Sequence, residues 1–141
     1  MLRWWMRGVG VFYLLKFVVV AFVKGPIRGQ APVALELAAA GDSVAGFLVD
    51  TWVIFGLEMA ALGAALLVAS RIPDRAHALA YAILGVEVSG ILADVYQLAR
   101  GHAWTIPGVW VLIHGLIIVT GLLSLRRSRP VVTREAAIAA A

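Results

Sequence analysis

The chain has 141 residues, of which 62% are hydrophobic and 14% are charged, and it carries a formal net charge of +4 without a single cysteine. Soluble domains average about 45–50% apolar and about 25% charged residues, so this composition is typical of a membrane protein. The lack of cysteine excludes disulfides, iron–sulfur clusters, thiolate zinc sites and thiol-based redox chemistry. Because the arginines flank apolar stretches, as membrane topology requires, the positive charge does not indicate a nucleic-acid partner.

Four apolar stretches are each long enough to cross the ~30 Å hydrocarbon core of a bilayer as a helix. The predicted spans cover residues 5–23, 47–69, 78–98 and 105–125. The first is interpreted as a retained span rather than a signal peptide, because Lys16 interrupts its apolar core and no small-x-small cleavage site follows directly. Residues 1–129 are therefore predicted to form one membrane domain, and residues 130–141 a flexible tail.

Local signals mark where these helices begin and end. Asp42 or Ser43 is suited to cap the second span, and residues 33–40 before it form a short, mildly amphipathic segment that favours an interfacial helix. A tight charged turn at Pro73 separates the second span from the third. Gly101 follows the third span, where glycine commonly ends a helix in the left-handed conformation.

Lysine and arginine residues near the spans predict the orientation. One side has Arg3, Arg7, Arg71, Arg75, Arg126, Arg127 and Arg129, and the other has Lys24, Arg28 and Arg100. This excess, seven against three, predicts that both termini and the short second turn lie in the cytoplasm. The expected fold is an all-α, antiparallel bundle of four transmembrane helices, with the lipid bilayer as its main partner.

Each predicted span carries one ionisable residue close to its midpoint: Lys16, Glu58, Glu87 and His114. A charge at the centre of a bilayer costs at least ~2.5–3.5 kcal/mol, and such residues are tolerated when they pair with one another or face a cavity inside the protein. Four of them at similar depth predict one central polar cluster.

Helical periodicity assigns these residues to faces. Glu87 and Asp94 are seven residues apart, so they share one stripe of the third span, and that stripe is expected to face the bundle interior. In the second span, Glu58 shares a stripe with Thr51, Ile54, Phe55, Ala61 and Ala65. The opposite face has small residues at Gly56, Ala60 and Ala64, which allow close approach of another helix in this chain or of a homo- or hetero-oligomeric partner.

Charge balance leaves two interpretations of the central cluster. One lysine and two glutamates leave an excess negative charge when all are ionised, so one glutamate stays protonated or His114 takes the proton. The first hypothesis is a site that handles a proton, a cation or a small molecule. The alternative is a structural or assembly subunit, in which static Lys16–Glu58 and Glu87–His114 pairs fix helix neighbours, or in which Lys16 snorkels to an interface.

A second group of charges, Asp50, Asp94 and Arg100, is expected nearer the external ends of the second and third spans. With Lys24 and Arg28 on the same side, these residues predict an outer polar ring of ion pairs, or alternatively an entrance for cations.

Enzymatic and cofactor chemistry is not indicated. A membrane haem usually needs two axial histidines at one depth, whereas only His114 is central and His77 and His102 lie at opposite interfaces. No H-E-x-x-H spacing supports a zinc hydrolase, so we expect no metal, no cofactor and no enzyme.

Several short motifs, taken in order, resemble the BphX-like family of small bacterial membrane proteins, which is named for a neighbour of biphenyl-degradation genes. They are Arg3-Trp4-Trp5-Met6-Arg7, Asp50-Thr51-Trp52, Phe55-Gly56-Leu57-Glu58, Ala69-Ser70-Arg71-Ile72-Pro73, Asp94-Val95-Tyr96, Ala99-Arg100-Gly101 and Ile113-His114. The resemblance covers residues 1–129 and implies a multi-pass protein of the bacterial inner membrane. It implies no activity, since a link to aromatic-compound metabolism is an association rather than a mechanism.

Overall fold

The computed structural model describes residues 1–23, 32–101, 104–105 and 107–128, and within these residues the chain is helical and has no strand. The helices are α1 (Leu2–Val18, continued by a π-helical turn at Val19–Val23), α2 (Pro32–Ala39), α3 (Ser43–Ala69), a 3₁₀ turn (Pro73–Arg75), α4 (His77–Ala99) and α5 (Pro107–Ser128). Four of them are long and apolar enough to cross a membrane: α1 over Leu2–Phe22, α3, α4 and α5. The prediction of four such helices is confirmed, while their arrangement as one bundle stays a prediction.

The helix ends follow local chemistry. The side chain of Asp42 accepts a hydrogen bond of 2.8 Å from the backbone N–H of Ala45 and so caps α3. Gly101, two residues after the end of α4 at Ala99, has φ +86°, a conformation that favours glycine. Both predicted signals are confirmed. The predicted tail over residues 130–141 lies outside the described residues.

One compact unit comprises Met6–Ile72 and contains most of α1, together with α2 and α3. Gly10 of α1 and Gly63 of α3 meet there, and a Cβ added at Gly63 would lie 2.7 Å from the carbonyl oxygen of Gly10. Further along α1, Val20 lies against Gly56. The two helices therefore run in opposite directions, and glycine lets their backbones approach closely.

The other unit comprises Met1–Trp5 and the chain from Pro73 onward, including α4 and α5. His77 near the start of α4 lies 3.3 Å (Nε2 to Oγ) from Ser128 at the end of α5, so these helices also run in opposite directions. The indole N–H of Trp5 donates to the carbonyl of Ile117 at 3.2 Å, which fixes the first turn of α1 on α5.

Buried positions recur at alternating intervals of three and four residues, the spacing of helices that pack along a left-handed seam. In α3 the seam contains Val49, Gly56, Met59, Gly63 and Leu66. The seam of α4 contains Ala80, Ile83, Glu87 and Asp94, and that of α5 contains His114, Ile117, Gly121 and Ser124. Three ionisable residues, Glu87, Asp94 and His114, thus occupy core positions in the unit that contains α4 and α5.

Candidate functional site

The centre of the α4–α5 pair contains a histidine between two carboxylates. The Nδ1 atom of His114 lies 2.5 Å from Oε2 of Glu87, and its Nε2 atom lies 3.6 Å from Oδ2 of Asp94. Glu87 and His114 are therefore hydrogen-bonded. Asp94 and His114 are too far apart for a hydrogen bond but are within the distance of an ion pair. Exposed fractions of 1% for Glu87 and 9% for each of the other two residues show that the whole group is buried. We call these three residues the α4–α5 cluster.

The spacing of α4 explains why one imidazole reaches two acids. Glu87 and Asp94 are separated by two helical turns, about 10 Å along the axis, and both side chains project from the seam. His114 projects from the seam of α5 into the interval between them. Its two ring nitrogens are on different edges of the ring, so each nitrogen faces a different carboxylate.

Gly90 provides the space that the imidazole fills. It lies one turn from each acid on the same stripe, and a Cβ added there would be 2.7 Å from Cε1 and 2.8 Å from Nε2 of His114. Any side chain at position 90 would therefore collide with the ring. The absence of a side chain at this point is a structural requirement of the cluster.

The electrostatics of the cluster depend on where its protons lie. A neutral imidazole has one donor and one acceptor nitrogen, so it satisfies only one of two carboxylates, whereas an imidazolium donates from both nitrogens. With an imidazolium and two carboxylates, the three groups sum to one negative charge in a buried position. Protonation of either acid makes the cluster neutral, so the cluster has several proton arrangements that differ by small movements.

An aromatic ring borders the cluster. The ring centroid of Trp110 lies 6.0 Å from that of His114, one turn away on α5, with an angle of 37° between the planes. The two rings are therefore tilted relative to each other and lie side by side on one face of α5. The spacing of four residues in the sequence is the signal that places Trp110 on the same face of α5 as His114.

The other two predicted members of the central cluster belong to the unit formed by Met6–Ile72. Lys16 is half-buried on α1, and its Nζ atom lies 5.7 Å from the ring centroid of Phe55 on α3. The side chain of Glu58, also on α3, is exposed. The structure therefore brings Glu87 and His114 together and adds Asp94, and the convergence of all four predicted residues stays a prediction.

Comparison with known proteins identifies the family. The profile of the BphX-like family matches residues 1–130 of this chain. The chain belongs to the BphX-like family. Two relatives, an uncharacterised BphX-like protein of Burkholderia cepacia and one of Paraburkholderia xenovorans strain LB400, are each 30% identical over 122 residues. In both comparisons the match covers 85% of this chain and 87% of the relative. No solved structure matches the chain.

The predicted outer ring of this BphX-like chain is divided between the two units. Asp50 is exposed on α3, and Arg100 is exposed at the end of α4, whereas Asp94 is buried beside His114. Lys24 and Arg28 lie outside the described residues. The ring stays a prediction, and the geometry assigns Asp94 to the α4–α5 cluster.

Among the described residues of this BphX-like chain, no group of three His, Cys, Asp or Glu side chains is arranged to hold a metal ion. Of the two histidines considered for haem ligation beside His114, His77 contacts Ser128 at the end of α5 and His102 lies outside the described residues. The expectation of a chain without cofactor stays a prediction.

The small-residue face of α3 is used in part within its own unit. Gly56 is buried, and a Cβ added there would lie 3.2 Å from Val20 and 3.3 Å from Phe17 of α1. Ala60 is half-buried and Ala64 is exposed. The part of this face around Gly56 therefore receives a helix of the same chain, and its role in oligomerisation stays a prediction.

Proposed function

We propose that this BphX-like chain is an integral protein of the bacterial inner membrane, which it crosses four times as an antiparallel bundle with both termini in the cytoplasm. Four helices of sufficient length and apolarity support the crossings. Large apolar side chains on those helices are exposed, among them Phe47, Leu92, Leu112 and Leu116, each more than 60% exposed. In water such surfaces would associate, whereas lipid chains cover them without cost. The arginine asymmetry supports the orientation.

Within that membrane domain, the α4–α5 cluster takes up a proton, moves it between its two acids and releases it. The observation that carries this function is the buried imidazole that faces Glu87 with one nitrogen and Asp94 with the other. Ionisable residues inside membrane segments mark ion pathways and proton relays, and histidine is the usual shuttle.

The proton is favoured as the species handled because of the space available. At 2.5 Å, the gap between Nδ1 of His114 and Oε2 of Glu87 admits a proton and nothing larger. A proton that arrives on one ring nitrogen can leave from the other. Because the two acids are two turns apart on α4, this exchange carries charge about 10 Å along the helix axis.

Proton flux into liposomes tests the function. We would reconstitute the purified protein around a trapped pH-sensitive dye and impose a potassium diffusion potential with valinomycin. The wild type should acidify the lumen faster than protein-free liposomes do. Glu87→Gln and Asp94→Asn should each reduce that excess rate by about tenfold or more, because a proton-transfer group typically contributes at least a hundredfold.

Asp50→Asn is the matched control. It removes the same charge as Asp94→Asn, but from an exposed position on a different helix, so its flux should equal that of the wild type. Circular dichroism and size exclusion would show that every variant is folded. Wild-type liposomes without excess flux, or full flux in both cluster variants, would refute the proposal.

The second candidate is a structural or assembly subunit in which the cluster only joins helices. One observation favours it: Glu87, Asp94 and His114 come from two helices that are consecutive in the chain, as expected of a staple between α4 and α5. Under this alternative, Glu87→Gln keeps a hydrogen bond with His114, so the variant should fold and should rescue any phenotype of a deletion strain. A folded Glu87→Gln protein that fails to rescue that phenotype would exclude the structural alternative.

A further inference from the structure

Glu58 occupies an unusual position for a carboxylate in a helix of this kind. It is the sixteenth of the 27 residues of α3, about 22 Å from one end of the helix and about 16 Å from the other. Its side chain is exposed, and it makes no hydrogen bond or ion pair with the residues that the structure describes. If the helix crosses the membrane as proposed above, this carboxylate lies at the depth where an uncovered charge costs at least ~2.5–3.5 kcal/mol.

The surroundings of Glu58 define a continuous outer face. Its whole stripe is exposed: Thr51, Ile54, Phe55, Ala61 and Ala65. Ala61 and Ala65 are one turn apart and small enough to admit another helix backbone closely. We call this stripe the Glu58 face. It is separate from the seam through Gly56 and Gly63, which receives α1.

A cation lies beside the same face. The ammonium of Lys16 is 5.7 Å from the ring centroid of Phe55, and Phe55 is one turn from Glu58 on the stripe. An ammonium has three donors, so it can serve more than one neighbour. Phe55, which lies beside the ammonium, and Glu58 are about one helical turn apart, or ~5 Å along α3.

This arrangement is complementary to itself. Homodimers in a membrane have a two-fold axis along the membrane normal, and such an axis keeps every residue at its own depth in both copies. Because Lys16 lies beside Phe55, one turn from Glu58, such an axis can set the Glu58 of each copy opposite the ammonium of the other. We infer that the Glu58 face is the contact surface between two copies of this chain, with reciprocal Glu58–Lys16 ion pairs across it.

A lipid-facing alternative explains the observations less well. Glutamate has a short side chain and does not reach an interface about 16 Å away in the way that a long lysine stem does. A neutral, protonated Glu58 facing lipid would also leave the small residues Ala61 and Ala65 without a purpose. The second copy accounts for the charge, the small residues and the nearby ammonium together.

Disulfide cross-linking in native membranes tests the interface, and the cysteine-free chain makes the test specific. Ala61→Cys places one thiol on the Glu58 face, one turn from Glu58. Leu116→Cys is the matched control, because Leu116 is 66% exposed near the middle of α5. Mild oxidation should convert most of the Ala61→Cys protein into a disulfide-linked homodimer, and little of the Leu116→Cys protein.

The charge dependence is tested in the Ala61→Cys background. Adding Glu58→Gln should lower the yield of dimer by about tenfold, since two interfacial charge pairs are lost. Equal cross-linking of the Ala61→Cys and Leu116→Cys proteins would overturn the inference, as would a cross-link to a different protein instead of a second copy. An unchanged yield with Glu58→Gln would overturn the role of the ion pairs.

The inferred dimer depends on the proposed membrane insertion, and one experiment distinguishes a failure of the insertion from a failure of the dimer. Extraction of the same membranes at alkaline pH releases proteins that are not integral. If the chain is released, the membrane proposal fails and the inference fails with it. If the chain is retained and Ala61→Cys does not cross-link, only the inference is overturned.

Discussion

Substitution of Gly90 is the sharpest test of the cluster geometry. A methyl group on this residue would lie 2.7 Å from Cε1, 2.8 Å from Nε2 and 3.0 Å from Nδ1 of His114. Ordinary contacts between such atoms begin at about 3.4 Å, so the ring must move by more than half an ångström or the helices must separate. Because Glu87 holds the ring at 2.5 Å, either movement lengthens that hydrogen bond.

The expected cost of Gly90→Ala combines two effects and one compensation. Overpacking a filled core costs about 1–3 kcal/mol, and weakening a charged hydrogen bond costs up to about 1.5–3 kcal/mol. Alanine gains up to about 1 kcal/mol over glycine from its higher helix propensity. We therefore expect Gly90→Ala to lower the free energy of unfolding by about 2–4 kcal/mol.

Gly85→Ala is the control on the same helix, because no heavy atom lies within 4 Å of the methyl group that it adds. It should be neutral or should stabilise the protein by up to about 1 kcal/mol. Unfolding in mixed detergent micelles measures both variants, and nitrogen NMR of labelled histidine reports whether the His114 signal moves. A Gly90→Ala protein as stable as Gly85→Ala, with an unmoved His114 signal, would refute the geometry.

Two further predictions concern the close α1–α3 contact and the topology. Gly63→Ala should destabilise the protein by about 1–3 kcal/mol in the same unfolding assay, because its methyl group meets the backbone of α1; Gly8→Ala, which adds a methyl group in open space, should change stability little. Reporter fusions after Arg75 and after Arg129 should report the cytoplasm, and a fusion after Arg28 the outside, by the arginine asymmetry. An external C-terminal reporter would contradict the proposed orientation, and a stable Gly63→Ala protein would contradict the close contact.

The helices of this chain could be predicted well because their signals are local. The predicted third span, residues 78–98, corresponds to α4 at His77–Ala99, and the predicted segment 33–40 corresponds to α2 at Pro32–Ala39. Hydropathy fixes the existence of each helix, and caps such as Asp42 and Gly101 fix its ends. Neither signal requires knowledge of which helix packs against which.

The site was harder to predict because depth and direction are different properties. Glu58, Glu87 and His114 all lie at mid-helix, but the side chain of Glu58 is exposed and the other two are buried. The sequence nevertheless indicates in which direction each side chain points from its helix. The alternating intervals of three and four that connect the seam glycines of α3, Gly56 and Gly63, bypass position 58.

For Asp94, the sequence predicts the helix face correctly but not the contact with His114. Its stripe, shared with Glu87, was predicted to face the interior, but its nearness to the helix end favoured an outer ring. What the sequence did not reveal was the reach of one imidazole across two turns. That reach depends on the empty volume at Gly90 and on the register between α4 and α5, and register is a tertiary property.

The second acid is the strongest reason to interpret the cluster as more than a staple. The Glu87–His114 bond already joins α4 to α5, and a static pair without Asp94 would avoid burying a second carboxylate, which costs several kcal/mol. Asp94 contributes little to that bond, because it lies 3.6 Å away on the other side of the ring. A second acceptor provides a group to which the imidazole can pass a proton that it received on its other nitrogen. The proposed transfer uses both carboxylates, whereas the Glu87–His114 hydrogen bond by itself uses one.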